Sequence, residues 1–127
     1  MSHLNDTLTF DQLTDANRRR LPLFKNRAGG PAHSQPDGSD WNLAEWTNAV
    51  AGETGEACNL AKKIIRGDFG APGMPSYQQA LKELALELAD IVTYADIACQ
   101  RTGHKLGEVV AEKFNVVSER VGCDVTL

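Results

Sequence analysis

The sequence predicts an all-α protein, and three observations lead there. Four stretches carry apolar residues at helical spacing, most are bounded by capping residues or by Gly and Pro, and no run alternates apolar and polar residues as a half-buried strand would.

The first helix is expected from about Phe10 to Arg20, with Thr9 as N-cap, Leu13 and Ala16 on its inner side, and Pro22 limiting its length. A polar stretch from Arg27 to Asp40, containing Gly29-Gly30-Pro31 and Pro36-Asp37-Gly38, reads as a loop long enough to be functional or mobile. The second helix should run from near Asn42 to about Arg66 on a stripe of Leu43, Trp46, Val50, Ala57, Leu60 and Ile64, and Gly67 to Gly73 end it. Ser76 precedes Gln79 by three residues, a capping-box pattern that opens a third helix through about Arg101. Its expected core stripe is Leu81, Leu84, Leu88, Ile91, Ala95 and Ala98. Gly103 separates it from a fourth helix, about Lys105 to Arg120, carrying Leu106, Val109, Val110, Phe114 and Val117.

Four amphipathic helices with short turns between most of them favour a four-helix bundle. A chain of 127 residues holds one domain, read as an N-terminal helix and polar loop at 1–40 followed by a helical core at 41–122. Two long helices in so short a chain leave stripes that a second copy would bury, so a homo-oligomer, dimer or tetramer, is expected.

Composition narrows the function. Hydrophobic residues make up 42% and charged residues 24%, the mixture of an ordinary globular domain. A net charge of -4 argues against nucleic acid as a partner, because such binding needs a basic surface. No apolar run spans a bilayer, and the opening Met1-Ser2-His3-Leu4-Asn5-Asp6 lacks a signal-peptide pattern, so no membrane association and a cytoplasmic location are expected. Cys58, Cys99 and Cys123 form no CxxC pair and are expected to be reduced, partly buried thiols. His33 stands in the polar loop without a convergent partner and is read as a surface residue.

The chemistry concentrates in acids. Glu53 and Glu56 sit about one turn apart on the second helix, flanked by Gly52 and Gly55. Glu83, Glu87 and Asp90 fall at i, i+4 and i+7 on one face of the third, beside Leu84, Leu88 and Ile91. If these helices are neighbours, Glu53 and Glu56 face Glu87 and Asp90, and like charges brought together oppose one another's ionisation. A hard divalent cation resolves that conflict. Oxygen-only ligands favour Mg2+, with Mn2+ as the alternative, and magnesium commonly binds substrate phosphates beside protein carboxylates. The competing reading is a solvated acidic face.

Glu53-x-x-Glu56 followed about thirty residues later by Glu87-x-x-Asp90 resembles the ExxE…ExxD signature of the MazG-like, all-alpha nucleoside triphosphate pyrophosphohydrolases. Trp46-x-x-x-Val50-x-Gly52-Glu53-x-Gly55-Glu56, then Lys62-Lys63, Glu87-Leu88-Ala89-Asp90-Ile91-Val92-x-Tyr94 and Lys113-Phe114-Asn115-x-x-Ser118-x-Arg120 are also similar to that family. The resemblance covers about residues 40 to 122, is nearest to short single-domain phage forms, and has an enlarged loop around Phe69 to Ser76.

The resemblance implies a MazG-like bundle, completed by oligomerisation, that hydrolyses (deoxy)nucleoside triphosphates to the monophosphate and pyrophosphate and adjusts the dNTP pool, in the host cytoplasm if phage-encoded. It implies that Glu53, Glu56, Glu87 and Asp90 hold magnesium and form the catalytic centre, with Glu83 as a possible helper base. Lys62, Lys63, Arg66, Lys113 and Arg120 would contact phosphates, and Trp46, Tyr94 and Asn115 the base or sugar. Core packing for Trp46 and helix capping or bridging for Asn115 are the competing structural roles. Rival functions are a superfamily enzyme acting on phosphoribosyl-ATP or dUTP and a non-catalytic nucleotide- or metal-binding regulator. A di-iron bundle is disfavoured because no His stands three residues after a Glu.

Overall fold

A computed structural model describes residues 7–127. Met1 to Asp6, which carry the expected lack of an export pattern and include His3, lie outside the described residues. The described chain is all-helical: α1 is Phe10–Arg20, α2 Leu43–Ile65, α3 Tyr77–Arg101 and α4 Leu106–Arg120, with a 3-10 turn at Leu21–Leu23. Its only β-type pairings are isolated bridges, Lys25 with Pro31 and Ser34 with Asp40. Among the described residues no helix is long and apolar enough to cross a membrane.

Local chemistry sets the helix starts. Thr9 Oγ1 accepts from Gln12 N while Gln12 Oε1 accepts from Thr9 N, closing a capping box at α1. Asn42 and Glu45 make the same reciprocal pair at α2, and Ser76 and Gln79 at α3. Gly67 ends α2 at φ 83°, allowing Asp68 N to donate back to Lys63 O at 3.0 Å. Pro22 does not stop the chain turning at once; it sits within the 3-10 turn, where its missing N–H costs nothing.

The chain forms two compact units, residues 1–41 with 96–127 and residues 42–95. In the first, α1 packs on α4. Gly107 permits close approach there, since a Cβ at that position would stand 2.9 Å from Phe10 Cβ. The inner face of α1 is not the expected Leu13 and Ala16 side: Leu13 is half-buried and Ala16 exposed, whereas Thr14 and Asn17 are buried. The cause is Asp96, whose side chain is wholly buried. Its Oδ1 accepts from Thr14 Oγ1 at 2.6 Å, and its Oδ2 accepts from Asn17 Nδ2 at 2.8 Å and Gln100 Nε2 at 2.9 Å. A buried acid needs such donors, so polar residues take the inner positions on α1.

The 24–40 segment is folded by its own side chains. Asn26 Oδ1 accepts from the amides of Ala28 and Gly30, Asp37 Oδ1 from Ser39 N and Oγ, and Arg101 Nε ties Asp40 at 2.7 Å. His33, expected at the surface, is half-buried between the ring edges of Phe24 and Trp41, and desolvation lowers its pKa.

The second unit buries Trp46, Ala57 and Ala80. Several expected core positions are instead exposed: Leu43, Leu81 and Leu88 in this unit, Phe114 and Val117 in the other. A single copy of these helices has too little partner surface to cover every stripe. Cys58 and Cys123 are exposed rather than partly buried, and Cys99 is half-buried.

Replacing Asp96 with Ala leaves the buried donors of Thr14 and Asn17 without their acceptor and should cost roughly 3 kcal/mol or more. Urea unfolding measures the loss, and hydrogen exchange should show it first in α1. Wild-type stability in D96A would remove the anchoring role.

Candidate metal centre

The second unit contains its own acidic centre. Gly52 to Glu56 lie inside α2, so Glu53 and Glu56 project from adjacent turns, while Glu87 projects from α3. One carboxylate oxygen from each of Glu53, Glu56 and Glu87 lies within 4.8 Å of the others. Carboxylates that close oppose one another's ionisation.

Glu53 and Glu87 are half-buried and Glu56 is exposed. Glu87 Oε2 is buried and has no hydrogen-bond partner. Desolvation, then the carboxylates of Glu56, Asp90 and Glu87, raises the Glu53 pKa above the ordinary carboxylate value. Glu87 is raised too, first by desolvation, then by a side-chain hydrogen bond with Glu56, and then by the charges of Glu56 and Asp90. Asp90 is exposed and stands outside the group of three ligand atoms, yet its charge reaches both. The donor set is all oxygen, which fits a hard divalent cation better than zinc. A cation bound there would be held by carboxylate oxygens of Glu53, Glu56 and Glu87.

Gly52 and Gly55 keep the flank of α2 bare, since a Cβ at either position would meet nothing within 4 Å. Glu83, one turn before Glu87, is exposed and lies outside the group of three. With Lys63 and Asp68 it lines a cavity of about 140 Å³ between the last turns of α2 and the first turns of α3. Lys62 is exposed, and Arg66 Nη2 is committed to Asp68 Oδ2 at 2.6 Å.

The other expected contacts fare unevenly. Trp46 is wholly buried, so its indole packs in the interior and presents no face for stacking on a base. Tyr94 is half-buried. Asn115 has its amide occupied within the first unit: its Nδ2 donates to Leu127 O at 3.0 Å and its Oδ1 accepts from Leu127 N at 2.8 Å. That bridging pair, rather than a base edge, uses the hydrogen-bonding capacity of Asn115. Lys113 and Arg120 are exposed on α4. Residues that sequence reasoning passed over are Asp68, Pro75 and Ala80, which line the cavity. Their only signal was position, in or beside the turn joining the two acid-bearing helices.

The chain matches no family model, no curated protein and no solved structure.

The raised pKa values fix a sign. Folded Glu53 and Glu87 hold protons more tightly than their unfolded counterparts, so metal-free stability from these groups is greatest at acid pH and falls as pH rises from the ordinary carboxylate value through the raised ones. A bound cation should reverse the penalty. The rise in melting temperature given by millimolar magnesium is therefore expected to be absent at acid pH, to grow through that window, and to shrink in Glu87→Gln. A magnesium response independent of pH would overturn the assignment.

Proposed function

We propose that the chain is a magnesium-dependent nucleoside triphosphate pyrophosphohydrolase of MazG-like type, with Glu53, Glu56, Glu87 and Asp90 as its metal-binding acids. The observation that carries this reading is the unpartnered, buried Oε2 of Glu87 beside the converging carboxylates of Glu53 and Glu56. Manganese is the expected substitute for magnesium.

In this reading Glu53, Glu56 and Glu87 supply the ligands already gathered, and Asp90 adds its charge from the next turn of α3. Magnesium, when bound, neutralises phosphate charge and makes a bound water a better nucleophile. The attacking oxygen forms a bond to the α-phosphorus, the bond from that phosphorus to the bridging oxygen breaks, and pyrophosphate leaves. The proton of the water passes to solvent or to a neighbouring carboxylate. Lys62 and Lys63 follow Glu56 by about two turns and offer positive charge to the departing phosphates, with Arg66 held nearby by Asp68. Tyr94 keeps the base or sugar role that the family resemblance gives it. Adjustment of the dNTP pool is the cellular role that follows.

We also propose that the chain works as a homo-oligomer. Leu86, Leu88 and Val92 on α3, and Phe114, Val116 and Val117 on α4, are large apolar side chains left exposed in one copy. Burial of such surface stabilises association at about 25 cal/mol per Å². Sedimentation should show a dimer or tetramer, and a single-chain mass at every concentration would reject this assembly.

The activity test is a panel of NTPs and dNTPs with magnesium and identification of the products. Monophosphate and pyrophosphate are expected. Diphosphate and orthophosphate would overturn the reading, and nucleotide binding without turnover would favour a regulator. Glu56→Ala and Asp90→Ala should each lower turnover by about a hundredfold or more while keeping the helical circular dichroism. Full activity in either variant removes that residue from the metal set.

A further inference from the structure

We infer that the 24–40 segment is a clasp, closed by the stacked rings of Phe24, His33 and Trp41 and opened by protonation of His33. The clasp belongs to the first compact unit and depends neither on the metal centre nor on the pyrophosphohydrolase reading.

The segment is two small turns joined at His33. Asn26 N donates to Gly30 O at 2.9 Å and Ala32 N to Phe24 O at 3.0 Å, which closes the first turn. Gln35 N donates to Ser39 O at 2.8 Å and closes the second. Each turn is held by its own backbone, and His33 stands between them. Its ring centre lies 5.4 Å from that of Phe24, at the start of the segment, and 5.2 Å from that of Trp41, just past its end, with interplanar angles of 78° to both. Trp41 Nε1 donates to Ser34 O at 3.1 Å, so the indole is also tied to the residue after His33. One imidazole thereby joins the two ends of the segment.

Charge decides whether the stack stays shut. His33 Nδ1 is buried, and a cation is solvated far better by water than by apolar rings. Desolvation accordingly holds the His33 pKa below its ordinary value. The charged groups around the stack do not rescue an imidazolium. Arg20, at the end of α1, holds its guanidinium 5.4 Å from the centre of the Phe24 ring, so a second positive charge beside that ring meets a like charge. Asp40 lines the same cavity as His33, and its carboxylate is paired with Arg101 of α3 at 2.7 Å. Lys25, Arg27 and Asp37 are exposed to water.

The sign follows from the neutral form being the one the closed clasp prefers. The stability that His33 gives the closed form is fully present above about pH 6.5, the ordinary histidine value, and is lost as pH falls from there through the lowered one. The open form solvates the imidazolium and leaves each turn on its own bonds. It also bares Leu21 and Pro22 of the 3-10 turn, which share a cavity of about 240 Å³ with His33, Ser34 and Asp40. Mild acid thus converts a fixed segment into a mobile one.

Proton NMR of the full chain reads both halves of the device. The His33 Cε1–H signal, identified by its loss in His33→Phe, should titrate with a midpoint below about 6.5. Trp41 Nε1–H should lose protection from exchange, measured against free indole at the same pH, as pH falls from about 6.5 to that midpoint. Trp46, wholly buried in the second unit, should keep its own protection. His33→Phe keeps a ring in the stack and takes no proton, so its Trp41 should stay protected down to about pH 5. A His33 midpoint at or above the ordinary value, constant Trp41 protection in the wild type, or the same acid-induced loss in H33F would each overturn the clasp. Where the phenyl ring does not seat even at neutral pH, the wild-type chain decides: Trp41 opening within the His33 window supports the clasp, and opening outside it rejects it.

Discussion

Helix α3 treats two of its acids in opposite ways. Asp96 is wholly buried and satisfied by three neutral donors from Thr14, Asn17 and Gln100, so its carboxyl group becomes an anchor for α1. Glu87, nine residues earlier, keeps a buried Oε2 with no partner. Unpaired buried polar atoms are costly enough that folded proteins rarely retain them without a use. The same helix thus holds one acid that completes the fold and one whose buried oxygen meets no donor from the described residues.

That contrast separates an acid with fixed partners from a cluster of acids. Asp96 has fixed partners and makes α1 present polar rather than apolar residues inward. Glu53, Glu56 and Glu87 have mainly one another, and desolvation, followed by their neighbours' charges, raises the proton affinity of Glu53 and Glu87. A divalent cation bound at these oxygens would compete with protons for them, which would couple its binding to pH. The cluster stands on regular helix rather than on a loop, which keeps its geometry tight.

The apolar surface tells a parallel story. Burial in one copy is confined to a few side chains, Trp46, Ala57, Ala80 and Ile97 among them, while leucines and valines on α3 and α4 stay exposed. An amphipathic stripe states that a face seeks cover and does not state which surface supplies it.

Helix number, type and ends were legible in the sequence because they depend on neighbours in the chain: the Thr9, Asn42 and Ser76 caps and the Gly67 stop act over three to five residues. The i, i+3 and i, i+4 spacing of the acids likewise placed Glu53 with Glu56 and Glu83 with Glu87 and Asp90 on common faces. Which of them converge was a tertiary matter. The structure gathers Glu53, Glu56 and Glu87, leaves Asp90 to act through its charge, and sets Glu83 beside a cavity with Lys63. Nor does periodicity reveal that Thr14 and Asn17 face inward, that Trp46 is enclosed, or that Asn115 is held by Leu127. Each depends on a partner far along the chain, as Thr14 and Asn17 do on Asp96 roughly eighty residues away, and no local pattern encodes such a pairing.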